Sequence, residues 1–363
     1  MDIVEAVEGY ERWLAGHVRV GAGALERKHR RMVAGAFPFL RATFFRWPEL
    51  WARELPGETS TRRVISVGDL HIENFGTWRD ADGRLAWGIN DFDEAHPLPW
   101  TSDLVRLATS ALLAIEEGHL QVEPGEACAA IVHGYAAGLS SGGRPVVLAE
   151  GNVWLRNLAA RQTRDAARYW RKLSALPNAP PKEVRSVADV LHRAMPGPGL
   201  DLRLAVRRAG LGSLGRPRYV ALADWSGAIV AREAKALVPS AVVWASGNPR
   251  GRIDARHLVR HAVRAADPTL RVDGSWIVRR LAADCQKIDL ARLPRRRDEY
   301  RLLAAMGFET ANVHLASPSA TEHVLRDLEG RKSTWLLKLA KRMAKATRHD
   351  WKSWRRAQRT ERR

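Results

Sequence analysis

The chain has 363 residues, 45% of them hydrophobic, with a formal net charge of +19, long enough for a substantial core and two lobes. It lacks a run of about 18 apolar residues, which argues against a transmembrane helix, and Met1-Asp2-Ile3-Val4-Glu5 is not the basic start of a signal peptide. Two cysteines, Cys128 and Cys285, exclude a disulfide framework or a cysteine-based zinc site; both read as packing residues, and a reducing cytoplasm is the expected location.

Residues 1–55 read as helices, with Tyr10, Trp13 and Leu14 on one face and a basic patch at Arg27 to Arg31 that reads as a solvated helix face, the alternative being part of a phosphate-facing wall. Phe37, Phe39, Phe44, Phe45 and Trp47 are core candidates. A unit at 56–195 follows. The apolar strand Val64-Ile65-Ser66-Val67 leads into Gly68-Asp69-Leu70-His71-Ile72-Glu73-Asn74, and Trp78, Asp80-Ala81-Asp82-Gly83 and Leu85-Ala86-Trp87 make a hairpin before Asn90-Asp91-Phe92-Asp93. An Asp, an Asn five positions on and a second Asp after a hairpin suit phosphoryl transfer from a magnesium-bound nucleotide. Asp69 orients the acceptor hydroxyl, and Asn74 and Asp91, with Asp93 beside them, hold Mg²⁺. Magnesium keeps several waters, so few protein oxygens suffice. His71 and Glu73 are a weak metal pair and read as structural. From Thr101 to about Arg171 the spacing is helical, one stripe running from Leu104 to Ile115 and another from Ile131 to Leu139. Leu176-Pro177-Asn178-Ala179-Pro180-Pro181 and Pro196-Gly197-Pro198-Gly199 are breaks.

Residues 200–285 form the expected nucleotide lobe, a small antiparallel β unit. Gly210-Leu211-Gly212-Ser213-Leu214-Gly215 fits G-x-G-x-x-G, but two strand-like runs follow, Arg218 to Ala223 and Ala228 to Lys235, joined at Asp224-Trp225-Ser226-Gly227. A dinucleotide fold requires a helix there. A glycine-rich hairpin over phosphates, followed by a strand carrying Arg232 and Lys235, matches the kinase arrangement. These residues follow the Asp69 motif, the reverse of the ordinary kinase order, so the expectation is a circularly permuted two-lobed kinase-like α+β fold with a mainly helical catalytic lobe. Residues 286–330 are expected to be connecting helices, with a helix over Leu302 to Ala316. Residues 331–363 carry 13 Lys and Arg against Asp350 and Glu361. Trp335, Leu336, Leu339, Met343, Trp351 and Trp354 recur there at helical spacing, giving a basic amphipathic helix that docks on the protein. The alternatives are an anionic membrane or a nucleic acid or acidic partner.

On these residues the chain resembles the bacterial domain-of-unknown-function 2252 family, itself related to aminoglycoside-phosphotransferase and protein-kinase-like folds. The matching blocks are Arg27-Lys28-His29-Arg30-Arg31-Met32, Phe37-Pro38-Phe39-Leu40-Arg41, Gly68 to Gly76, Asn90 to Ala95 with Trp100, Asp103-Leu104, and Gly210 to Gly215. The resemblance implies a catalytic Asp69, the metal ligands Asn74 and Asp91, and an Asp103 that braces the catalytic loop. It departs where the family has Lys-Glu-Ala and this chain has Arg232-Glu233-Ala234, since Arg differs from a phosphate-bridging lysine in reach and geometry. Lys235 points to the opposite face of a regular strand from Arg232, and only Asp254 stands where a Glu partner for the lysine is expected. The expected activity is ATP- and Mg²⁺-dependent phosphoryl transfer to a hydroxyl acceptor, a small molecule. The alternatives are a nucleotide-binding regulator without turnover, an AMP-transferring enzyme, and a nucleic-acid or membrane binder using the basic tail.

Overall fold

The structure is a computed structural model that describes residues 1–21, 23–148, 151–161, 165–248, 251–285, 287 and 296–360. Part of the connecting stretch expected at 286–330 therefore lies outside the described residues. Helix Ile3–His17 starts with a capping box: the Asp2 carboxylate accepts from the Val4 and Glu5 amides, and Glu5 accepts from the Asp2 amide. Helices Ala24–Val33, Ala36–Ala42 and Trp47–Glu54 follow, and the five expected aromatic core residues are all buried. The solvated reading of the Arg27–Arg31 patch is corrected at Lys28. That side chain is buried, its ammonium 5.4 Å from the Tyr10 ring centre and 5.2 Å from that of Phe45.

The next part carries strands β1 (Arg63–Ser66), β2 (Phe75–Arg79), β3 (Leu85–Ile89), β4 (His96–Pro99) and β5 (Val146–Val147). β1 pairs antiparallel with β4, and β2-β3-β5 make a second antiparallel sheet. β2 and β3 are the two arms of the expected hairpin. Asp80 closes its turn by accepting from the Asp82 and Arg84 amides, and Gly83 adopts φ 75°. Helices Thr101–Glu116, Pro124–Ser140, Arg296–His314 and Trp335–Thr360 pack on one another, and Arg296–His314 also packs against β1 and β3. Helix Thr101–Glu116 is buried along nearly its whole length, so its apolar residues cover more than the single stripe read from the sequence.

A five-stranded antiparallel sheet forms from β6 (Arg203–Val206), β7 (Arg218–Trp225), β8 (Ala228–Ala236), β9 (Arg271–Asp273) and β10 (Trp276–Leu281), in the order β6-β7-β8-β10-β9. One face packs Tyr219, Ala221, Ala234 and Val278 against Val187, Val190 and Leu191 of the segment before it. The other presents Arg218, Glu233, Lys235 and Arg279, because alternate residues of a strand face opposite sides. The molecule is thus a mixed α+β structure with small antiparallel sheets.

Helix Trp335–Thr360 docks by its apolar stripe. Trp335, Leu336, Met343 and Trp354 are buried, and Asp350 accepts from the Arg46 Nε at 2.8 Å. Its outward side carries Lys338, Lys341, Arg342, Lys345, Lys352 and Arg356, all exposed. Among the described residues no helix is long and apolar enough to cross a membrane.

Candidate functional site

The loop after β1 is built around Gly68. Its φ of 82° suits glycine, and a Cβ there would lie 2.4 Å from the Glu94 carbonyl oxygen. From below, the buried Asp103 accepts from the Val67 amide at 2.7 Å and the Gly68 amide at 2.9 Å. The His314 ring lies 3.1 Å from Asp103 through Nε2 and 2.8 Å from the Tyr135 hydroxyl through Nδ1. Asp103 can only accept, so Nε2–H donates to it, and Nδ1 meets the Tyr135 hydroxyl. Ser110 accepts from the Ile72 amide. The loop's backbone groups are held by side chains of the buried helices behind it, which fixes where Asp69 points.

Asp69 and Arg106 form the first pair of the site: the guanidinium donates to Oδ1 through Nε at 3.0 Å and Nη2 at 2.5 Å. Burial pushes the Asp69 carboxyl up to about 6, with Arg106 pulling against it. Asn74 donates through Nδ2 to the Asp69 carbonyl at 2.6 Å. Asp91 and Asp93 converge on one cation, the Lys235 ammonium, at 2.9 and 2.5 Å. Burial opposes ionisation of Asp91, but Lys235, Lys287 and Arg279 outweigh it and hold its carboxyl well below the usual range. Asp93 is raised by burial and by Asp91 beside it. His71 is buried, with its ring nitrogen accepting from the Glu73 amide, and burial and Arg41 keep it neutral; Glu73 pairs with Arg41 at 2.6 Å.

The glycine-rich segment lies between β6 and β7. Leu211 and Leu214 anchor it in the core, and a Cβ on Gly212 would stand 2.9 Å from the Arg41 carbonyl oxygen and 3.0 Å from Asp69 Oδ2. Asp69, Asn74, Asp91, Asp93, Gly210, Gly212 and Ser213 all line one small cavity of about 40 Å³. Gly215 sits behind the loop against Leu14 and Leu25. Arg232 does not join the site: its guanidinium donates to the Ala194 and Ala231 carbonyls on the helix-covered face of the sheet, while Lys235, on the other face, meets the acidic pair. Asp254 does not serve as the lysine's partner either; it accepts from Arg252 and lies 3.3 Å from His96 Nδ1.

Four contributors have weak or no sequence signals. Arg106 is a charge inside the apolar run Leu104-Val105-Arg106-Leu107-Ala108, which is itself a signal for a paired buried group. Glu94 directly follows the acidic motif and accepts from the Ala241 amide and from Arg216. Arg41 closes a block that carries the family resemblance without being marked as a site residue, and Lys287 lines the cavity with no local motif to mark it. Lys287 is exposed at the edge of the cavity, and its charge helps to hold Asp91 ionised.

Residues 22–175 match the family model described as an uncharacterized protein conserved in bacteria (DUF2252). The match supports the resemblance for the part of the chain that carries Asp69, Asn74, Asp91 and Asp103, and it ends before the glycine-rich segment. No curated protein and no solved structure matches the chain.

Proposed function

We propose that the protein is an ATP- and Mg²⁺-dependent phosphotransferase of permuted kinase-like arrangement, acting on the hydroxyl group of a small molecule. The observation that carries this reading is the single cavity shared by Asp69, Asn74, Asp91, Asp93 and the Gly210–Ser213 loop. The five-stranded antiparallel sheet set against a helical part supports it further. Asp69 is fixed through Oδ1 by Arg106, which leaves Oδ2 to orient an acceptor hydroxyl. With its carboxyl near 6 it is ionised at neutral pH and suited to accept a proton.

Asp91 and Asp93 fit a divalent cation because both already converge on a positive centre, the Lys235 ammonium. Among the described residues no three His, Cys, Asp or Glu gather as a metal cluster. Magnesium requires only one or two carboxylates beside water and phosphate oxygens, so Asn74, Asp91 and Asp93 are the residues that would hold it. Bound there, the ion would supply charge neutralisation at the phosphates.

Titration calorimetry with ATP tests the reading. Magnesium-dependent binding by the wild type, lost in Asp91→Ala, is the expected outcome, followed by turnover of a hydroxyl acceptor. Absence of binding by the wild type sinks it. A second reading, a nucleotide-binding regulator without turnover, is favoured by Gly212 lying against Asp69 in so small a cavity. It predicts binding with no product from any acceptor.

A further inference from the structure

Beside the Asp69 cavity lies a larger one of about 260 Å³, and the two share Arg41, Asp91, Gly210, Leu211 and Lys287. Its lining holds seven arginines and one lysine against two aspartates. The organising residue is Glu233, which is buried. It accepts from Arg218 at 2.9 Å and from Arg279 at 2.9 Å, and it also pairs with Arg207. Glu233 and Arg218 lie on one face of neighbouring strands, where Glu233 pairs in register with Val220 and Arg279. Arg218 also donates to Ser213 Oγ at 2.8 Å, tying the cluster to the glycine-rich loop.

Arg207, Arg218, Arg279, Lys235 and Lys287 stand against Glu233, Asp91 and Asp93, so a surplus of positive charge remains beside the cavity and favours an anion there. The guanidiniums are held in place before any ligand arrives, which favours planar, bidentate recognition of phosphate oxygens. The position of the cavity selects among anions. It contains Asp91, the proposed metal ligand, but not Asp69, the proposed acceptor residue, so it lies on the donor side of the transfer.

We propose that Arg207, Arg218 and Arg279, fixed around Glu233, form with Lys287 a polyphosphate-binding site that takes the triphosphate of the nucleotide. The assignment of the donor as a nucleotide rests on the phosphotransferase reading; the polyphosphate chemistry rests on the arginine cluster. Lys235, engaged by Asp91 and Asp93, is then the partner of the acidic pair, and the phosphate charge is met by arginines. Recognition runs mainly through the phosphate chain.

The test uses the full chain with inorganic tripolyphosphate, ATP with Mg²⁺, and AMP as probes in calorimetric and competition binding. Tripolyphosphate is expected to bind the wild type, to displace ATP and to weaken steeply with salt, while AMP binds far more weakly. Arg279→Gln is expected to reduce affinity for tripolyphosphate and ATP by tenfold or more with an unchanged circular-dichroism spectrum. Arg207→Gln supplies the same comparison should Arg279→Gln fail to fold. If both variants bind ATP as the wild type does while Asp91→Ala does not, the polyphosphate site is overturned and the phosphotransferase reading stands. If tripolyphosphate binds in an Arg279-dependent way but ATP does not displace it, the polyphosphate site stands and the nucleotide donor falls. If neither probe binds the wild type, both are overturned.

Discussion

Glu309 shows what a single buried carboxyl behind the site does. It accepts from the Ile89 amide at 3.2 Å and from Asn312 Nδ2 at 2.8 Å, so it holds the end of β3 that leads into Asn90 and Asp91. Burial raises it to about 7, against the pull of Arg264. A carboxyl that binds its proton more tightly folded than unfolded favours the fold at low pH and loses that contribution as pH rises through the folded value. Unfolding free energy is therefore expected to fall by about 2–3 kcal/mol between pH 5 and pH 8 from this group. Denaturant titrations across that range check it, and in Glu309→Gln the slope should flatten. Asp69 adds a functional counterpart: with its carboxyl near 6, phosphoryl transfer should rise with pH to a plateau above about pH 7. A rate independent of pH between 5 and 7 would remove Asp69 from the proton-accepting role.

At the scale of elements, strand alternation and one glycine decide the site. Along β8, Glu233 and Lys235 face the cleft and Arg232 the helix-covered side. A shift of one residue would exchange them, so the register of β7, β8 and β10 is part of the chemistry. Gly212 is the closest point of the glycine-rich loop to Asp69. In Gly212→Ala the added methyl meets the backbone oxygen of Arg41, which belongs to a packed helix and cannot yield as a side chain can. The loop must lift. Turnover is expected to drop at least tenfold while the melting temperature moves by a few degrees at most, as read by activity assay and thermal melts on the same preparation. Equal turnover in the variant would mean that the loop's approach to Asp69 is incidental.

Across the whole molecule, distant segments complete the part that carries Asp69. Helix Arg296–His314 crosses helix Pro124–Ser140 so closely that a Cβ on Gly134 would stand 1.8 Å from the Ala304 carbonyl oxygen, and one on Gly307 2.1 Å from that of Ile131. The same long helix delivers His314 to Asp103 and Glu309 to β3. Helix Trp335–Thr360 then closes the N-terminal helices through Trp335, Leu336, Met343 and Trp354 and the Arg46–Asp350 pair. Losing large buried side chains costs about 2–5 kcal/mol each, against a total stability of about 5–15 kcal/mol. A chain ending at residue 330 is accordingly expected to lack a cooperative unfolding transition, although it keeps every residue of the proposed site. A cooperative melt with wild-type ATP binding in that truncated chain would show the last helix to be an appendage.

The sequence by itself determined the features whose cause is local. The hairpin between β2 and β3 follows from Asp80 and Gly83, the sharp loop at Gly68-Asp69 from a glycine before a polar residue, and the two strands after the glycine-rich segment from their β-like runs. The docked basic helix follows from apolar residues at helical spacing. Tertiary structure alone decided which charges meet. Arg106 reaches Asp69, Lys235 rather than Arg232 reaches Asp91, and Glu233 gathers Arg207, Arg218 and Arg279. Lys28 is buried inside a stretch that composition marks as solvated. Each of these depends on sheet register or on helices packed across long stretches of chain, and a charge carries no mark in its own neighbourhood of the partner that packing will bring to it.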